Sequence, residues 1–126
     1  MKMLNQVAEF HQKFNHPIVD TTTIPPIKRI MLRNNLIREE LEELEEASQN
    51  EDIVEVADAV VDLLYVVFGT ALEYGLGEKL EALFDEVHAS NLSKLENGLP
   101  IYANDGKVMK GKRYFKPDLG FILREG

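Results

Sequence analysis

Residues 37–67 read IREELEELEEASQNEDIVEVADAVVDLLYVV, and the fold turns on whether the second half of this stretch is a strand or a helix. Its Val and Ile content suits a buried strand. The apolar pattern, however, continues from about Asp52 to Tyr74 without a turn signal, far beyond the length of a strand, which decides for helix. The first half needs no such argument, because Leu, Glu and Arg all favour helix. Between the halves, QNED breaks one helix and caps the next.

Working outward, the spacing predicts four helical segments: about Leu4–Phe14, Ile27–Ser48, Asp52–Tyr74 and Glu78–Leu95. Before the second lies the loop HPIVDTTTIPP, in which Thr23 offers a cap and Pro25/Pro26 suit a first turn. After the fourth, Asn97-Gly98, Asp105-Gly106 and Lys110-Gly111 mark turns, so a short hairpin or irregular C-terminal arm is expected. No repeat or second-domain boundary is visible. The expected fold is all-α, a single domain over 1–126 with a four-helix bundle-like core.

Composition narrows the function. The chain of 126 residues carries a net charge of −8, which argues against binding a nucleic-acid polymer. No apolar run approaches the roughly 18 residues of a membrane span. The start, MKMLNQVAEFHQ, lacks an apolar signal core, so a cytoplasmic location is expected. With no cysteine there is no disulfide framework, thiol nucleophile or cysteine-based zinc site. The charge is also polarised. Residues 107–116, KVMKGKRYFK, hold five of the fourteen basic residues, while acids crowd into 39–62. Such a split fits plain solvation or the two halves of a metal–phosphate site.

Six glutamates fill the eight positions from Glu39 to Glu46. On a helical wheel, Glu39, Glu42 and Glu46 fall outside the apolar arc of the second helix, whereas Glu40 lies inside it and Glu43 on its edge. Glu42, Glu45 and Glu46 are expected to be solvated. Glu40 needs a partner, because a carboxylate on a core face is neutralised or compensated. Arg33, inside the same arc, is one candidate and a metal ion the other. The third helix is apolar around most of its circumference, but Glu55, Asp58 and Asp62 share one narrow stripe, which Glu73 continues. The stripe is either a solvated seam or a set of oxygen ligands facing Glu40 and Glu43. Oxygen ligation selects Mg²⁺, Mn²⁺ or Ca²⁺ over zinc.

On the fourth helix Leu80, Leu83, Phe84, Val87 and Leu95 define the apolar face, and Asn91 and Lys94 sit on it. Beside an acidic metal cluster they read as donors to a ligand's phosphates and base; alone, they are a helix end with a snorkelling lysine. His11, His16 and His88 share no metal-ligand spacing and add little. No glycine-rich phosphate loop exists.

Together these residues resemble the all-α nucleoside triphosphate pyrophosphohydrolases, a superfamily that includes MazG-like proteins and phosphoribosyl-ATP pyrophosphohydrolases. Glu39-Glu40-Leu-Glu-Glu43 looks like its Glu-Glu-x-x-Glu motif. ADAVVDLLYVVFG is similar to its second acidic motif, EVHASNLSKL follows in order, and DGKVMKGKRYFKPDL is similar to the arm of the branch nearest dUTP-type pyrophosphatases.

The resemblance implies hydrolysis of a (deoxy)nucleoside triphosphate to the monophosphate and pyrophosphate, with Mg²⁺ as cofactor (Mn²⁺ substituting) and a homodimer or homotetramer. By position it makes Glu39 the base, Glu40 and Glu43 metal ligands, and Lys94, Lys107 and Lys110 phosphate partners, with Asn91 on sugar or base and Arg33 among the substrate-binding residues. One departure stands out. Relatives carry Glu-x-x-Asp directly before Leu-Leu-Tyr; here Asp62 holds the Asp position but Ala59 stands three residues earlier. Glu55-x-x-Asp58 repeats that spacing one turn too early, so Asp58 is taken as the second ligand of the third helix, with Glu55 as the alternative. A nucleotide house-cleaning enzyme for dUTP or aberrant nucleotides is the leading expectation. A phosphoribosyl-ATP pyrophosphohydrolase and a non-enzymatic acidic interaction module are the others.

Overall fold

A computed structural model describes residues 1–124. The chain is helical, with α1 over Lys2–Lys13, α2 over Ile27–Gln49, α3 over Ile53–Glu73, α4 over Leu80–Leu92 and α5 over Leu119–Arg124. A short 3₁₀ turn, Gly77–Lys79, precedes α4. The chain groups into two compact units, Met1–Glu78 and Lys79–Gly126.

In the first unit α2 and α3 pack along their lengths, and α1 lies against α3. The reversal between α2 and α3 is tight because the local sequence supplies every element of it. Asn50 N–H donates to the Glu46 carbonyl and Asp52 N–H to the Ala47 carbonyl, while Glu51 takes a left-handed φ of 54°. The Asp52 carboxylate then accepts the Glu55 N–H at 3.2 Å and caps α3. The two helices therefore run antiparallel. Leu4, Val7 and His11 of α1, spaced on one helical face, are buried, as are Ala47 of α2 and Ala59, Ala71 and Leu72 of α3.

The loop before α2 is tied to the end of α3. Val19 N–H donates to the Leu72 carbonyl and Thr23 N–H to the Tyr74 carbonyl, both at 3.0 Å. Thr22 Oγ1 reaches the Gly75 carbonyl at 3.2 Å. Gly75 has a φ of 70°, and a Cβ there would collide with the Thr21 carbonyl, so only glycine fits this close approach. Thr23 is thus engaged through its backbone, not as the expected cap; α2 starts instead from Pro26, whose fixed φ suits a helix entry.

In the second unit the arm folds onto α4. Buried Ser90 donates through Oγ to the Phe115 carbonyl at 2.8 Å, and Ser93 Oγ accepts the Phe115 N–H at 3.1 Å. Gly111 N–H donates to the Lys94 carbonyl at 2.9 Å. These bonds take up the polar groups at the end of α4, which is why it stops at Leu92 rather than at the expected Leu95. Asn97 and Gly98 both have positive φ, forming the Asn-Gly turn that brings Glu96 and Leu99 together. A second bridge joins Tyr102 and Val108. α5, which the turn-rich arm does not announce, is capped by Asp118, whose carboxylate accepts the Phe121 N–H. Among the described residues, no helix is long and apolar enough to cross a membrane.

Candidate metal centre and active site

Glu40 and Glu43 stand one turn apart on α2, and Asp62 faces them from α3. One carboxylate oxygen of each lies within 4.8 Å of the others. Glu40 and Asp62 are half-buried and Glu43 exposed. Glu40 Oε2 is buried and has no hydrogen-bond partner among the described residues. Burial, a hydrogen bond shared with Glu43, and the charges of Glu43, Asp62 and Glu39 push the Glu40 carboxyl up to about 7. Burial, with the charges of Asp58 and Glu43, raises Asp62 as well. A cluster that resists its own ionisation in this way calls for protons or cations.

Beside Glu43 the two helices open into a cleft of about 410 Å³, which Glu46, Asn50, Asp52, Glu55 and Asp58 also line. Ala59 is buried at its wall. The two candidate ligands from the earlier turn, Glu55 and Asp58, therefore face this cleft, outside the group of three but joined to it through Glu43. Glu39 is exposed beside Glu40.

The oxygen donors fit a hard divalent cation. An orphaned buried carboxylate oxygen amid further carboxylates is the environment Mg²⁺ or Mn²⁺ satisfies. Glu40, Glu43 and Asp62 would hold such an ion, with Asp58 and Glu55 available from the cleft.

The structure corrects several expectations. Arg33 does not partner Glu40. Its guanidinium is buried and donates to Glu73 at 3.2 Å, to Thr70 Oγ1 at 3.2 Å and to the Val66 carbonyl at 2.8 Å. The antiparallel run of the helices places it nearer the C-terminal end of α3, and there the desolvated fork finds a desolvated carboxylate. Three of its five N–H donors are engaged in this network. Glu73 accordingly does not continue a solvated seam. It is 1% exposed and also receives Arg29 Nε and Nη2 at 2.9 and 2.8 Å. Asn91, expected on a covered face of α4, is exposed, as is much of Phe84. Lys94 is half-buried in the turn after α4. Lys107 and Lys110 are exposed on the arm, with Lys110 Nζ 4.8 Å above the Tyr114 ring. These four belong to the second unit, the carboxylates to the first.

Sequence reasoning missed a second constellation. His11, His16 and Glu73 converge within 4.8 Å, beside Arg29 and Arg33. The signal that could have found it was the pairing of two arginines at one end of α2 with a glutamate at the end of α3.

The antiparallel helical pair that converges Glu40 and Glu43 on Asp62 is consistent with the all-α, MazG-like pyrophosphohydrolases. Within that superfamily the phosphoribosyl-ATP pyrophosphohydrolase family model matches residues 7–91, which run from the middle of α1 to nearly the end of α4. The chain belongs to this family. It is also similar to an uncharacterized protein of Acanthamoeba polyphaga mimivirus, 28% identical over 103 residues that cover 78% of this chain and 41% of that relative. The chain therefore spans less than half the length of this relative.

Proposed function

We propose that the protein hydrolyses a (deoxy)nucleoside triphosphate between the α and β phosphates, taking up one water and releasing a nucleoside monophosphate and pyrophosphate in a Mg²⁺-dependent reaction. The observation that carries this reading is Glu40 Oε2, a buried carboxylate oxygen without a partner, held against Glu43 and Asp62. A cation suits that position amid further carboxylates, and a metal–triphosphate substrate delivers cations. When bound, Mg²⁺ would neutralise the triphosphate and polarise the phosphorus under attack.

The residues divide the remaining work by exposure. Glu40 and Asp62, half-buried, hold their positions through the packing of α2 on α3. Glu43 stands between the carboxylate group and the cleft, so it can serve both. Glu39, exposed and adjacent in sequence to Glu40, accepts the proton of the attacking water and releases it to solvent. Dimerisation or tetramerisation is part of the reading, because α3 leaves Ile53, Val54, Val61 and Leu64 exposed along one small protomer. A monomer by light scattering at micromolar concentration would remove it.

Incubation with a panel of nucleoside triphosphates and phosphoribosyl-ATP in the presence of Mg²⁺, with chromatography of the products, tests the activity. Monophosphate plus pyrophosphate is expected, and diphosphate plus orthophosphate would overturn the assignment. Phosphoribosyl-ATP belongs in the panel because the family's description favours it as a second substrate. No turnover of any member would leave the acidic interaction module.

A further inference from the structure

Inside a helix glycine is poorly favoured, because it loses the most backbone freedom on ordering. Gly69 nonetheless sits in the interior of α3. The reason lies in what packs against it. A Cβ there would come within 2.5 Å of Arg33 Nη2 and 2.7 Å of His11 Nε2. The missing side chain bares a stretch of α3 backbone, and the Arg33 guanidinium lies against it. Nη2 donates to the Val66 carbonyl at 2.8 Å, Nε to Thr70 Oγ1 at 3.2 Å and Nη1 to Glu73 Oε2 at 3.2 Å. The Thr70 hydroxyl donates in turn to the same Val66 carbonyl at 2.8 Å. From α1, His11 closes over the same spot, its ring held by the bond between Nδ1 and the Pro17 carbonyl. Arg33 and His11 are both buried.

One side chain of α2 thus holds three successive turns of α3. Apolar burial is non-directional, so by itself it sets no sharp register between two helices. Hydrogen bonds to a carbonyl, a hydroxyl and a carboxylate do, because each demands its own alignment. The faces they join are the faces that carry the acids. At 100° per residue Arg33 and Glu40, two turns apart, fall on one face of α2, and Asp62, Val66, Gly69 and Glu73 run along one face of α3. Seating Arg33 on α3 therefore sets the roll and the axial register at which Glu40 and Glu43 meet Asp62. On the other side of the acids the chain reversal at 50–52 anchors the same helix pair.

We propose that Arg33 is a positioning residue for the metal centre, giving its carboxylates the fixed geometry that Mg²⁺ requires and Ca²⁺ does not. The proposal rests on the Mg²⁺ reading above. Mg²⁺ demands a near-ideal octahedron at about 2.0–2.1 Å, whereas Ca²⁺ accepts irregular oxygen sets at about 2.3–2.6 Å. A small slip of α2 on α3 therefore penalises Mg²⁺ more than Ca²⁺.

The test titrates Mg²⁺ and Ca²⁺ separately into the full chain by calorimetry, with the urea midpoint of each metal-free variant measured alongside. Arg33→Lys keeps the charge opposite Glu73 but replaces the fork by a single point that cannot reach three partners. It should weaken Mg²⁺ binding by about tenfold or more and Ca²⁺ binding by about threefold or less. Thr70→Val removes the hydroxyl between Arg33 and Val66 at nearly constant volume. It should move the ratio of the two affinities the same way by a smaller factor, and it decides the matter if Arg33→Lys does not fold. Leu4→Ala, at a buried position of α1 beside Gly77, is the control: it should lower the urea midpoint and leave the ratio unmoved. An unchanged ratio in Arg33→Lys (or in Thr70→Val, where the lysine variant does not fold), an equal loss for both ions, or the same change in Leu4→Ala would overturn the proposal and leave the metal reading intact. A parent chain that does not bind Mg²⁺ would defeat the metal reading itself, and the positioning role with it.

Discussion

Replacing Glu40 by glutamine should strengthen the fold while abolishing the function. In the folded chain the Glu40 carboxyl is raised from 4.5 to about 7, so the native state holds a proton that the unfolded state has already released. The resulting stability is full below about pH 4.5 and is lost as the pH rises through 7. A difference of 2.5 units at 1.36 kcal/mol each gives a loss of about 3 kcal/mol. Solvent beside the exposed Glu43 screens the repulsion and makes this an upper value. Glutamine fills the same space, never ionises, and can donate a hydrogen to Glu43. In urea unfolding with EDTA, Glu40→Gln should match the parent near pH 4 and exceed it at pH 8 by up to about 3 kcal/mol. Mg²⁺ should then stabilise the parent and leave the variant nearly unmoved. A variant less stable at pH 8, or a difference that does not change with pH, would refute the electrostatic account.

Glu39→Gln should cut turnover by about a hundredfold or more yet retain the Mg²⁺-induced thermal shift, since the exposed Glu39 is assigned to the proton and not to the ion. Asp62→Asn should lose both turnover and the shift; Asp58→Asn, from the cleft wall, should weaken metal affinity more than it alters the apo fold. Calorimetric Mg²⁺ titration reads the difference, and normal binding in Asp62→Asn would displace it from the ligand set. Gly69→Ala would bring a Cβ within 2.5 Å of Arg33 Nη2 and 2.7 Å of His11 Nε2. A loss of about 1–3 kcal/mol is expected, and an unaltered urea midpoint would show that the network yields freely.

The helices were legible because their signals are local. Asp52 as a cap, the length of the run to Tyr74 and the Asn97-Gly98 turn each need only neighbouring residues. Glu40 and Glu43 were legible as well, because a carboxylate on an apolar arc violates the pattern around it. Arg33 violates that pattern equally, but its partner Glu73 lies forty positions away, and a wheel drawn on one helix cannot tell an ion pair across the bundle from a partner on the same face. His11 and His16 were passed over for the same reason: a loop, not a helical spacing, brings them together. The end of α4 depends on Ser93 bonding to Phe115, a contact that the 3.6-residue period does not encode.

The buried clasp at one end of α2 and α3 and the acid group further along give the helix pair opposite tendencies over its length. Where Glu73 holds Arg29 and Arg33 the helices are drawn together; where Glu40 and Glu43 meet Asp62 they are pushed apart. The pair thus works as a spring clip with its pivot at the arginines. Amides around Ala47–Asp58 should exchange with deuterium faster than those around Val66–Glu73 when divalent ions are removed, and only the former should slow when the ions return.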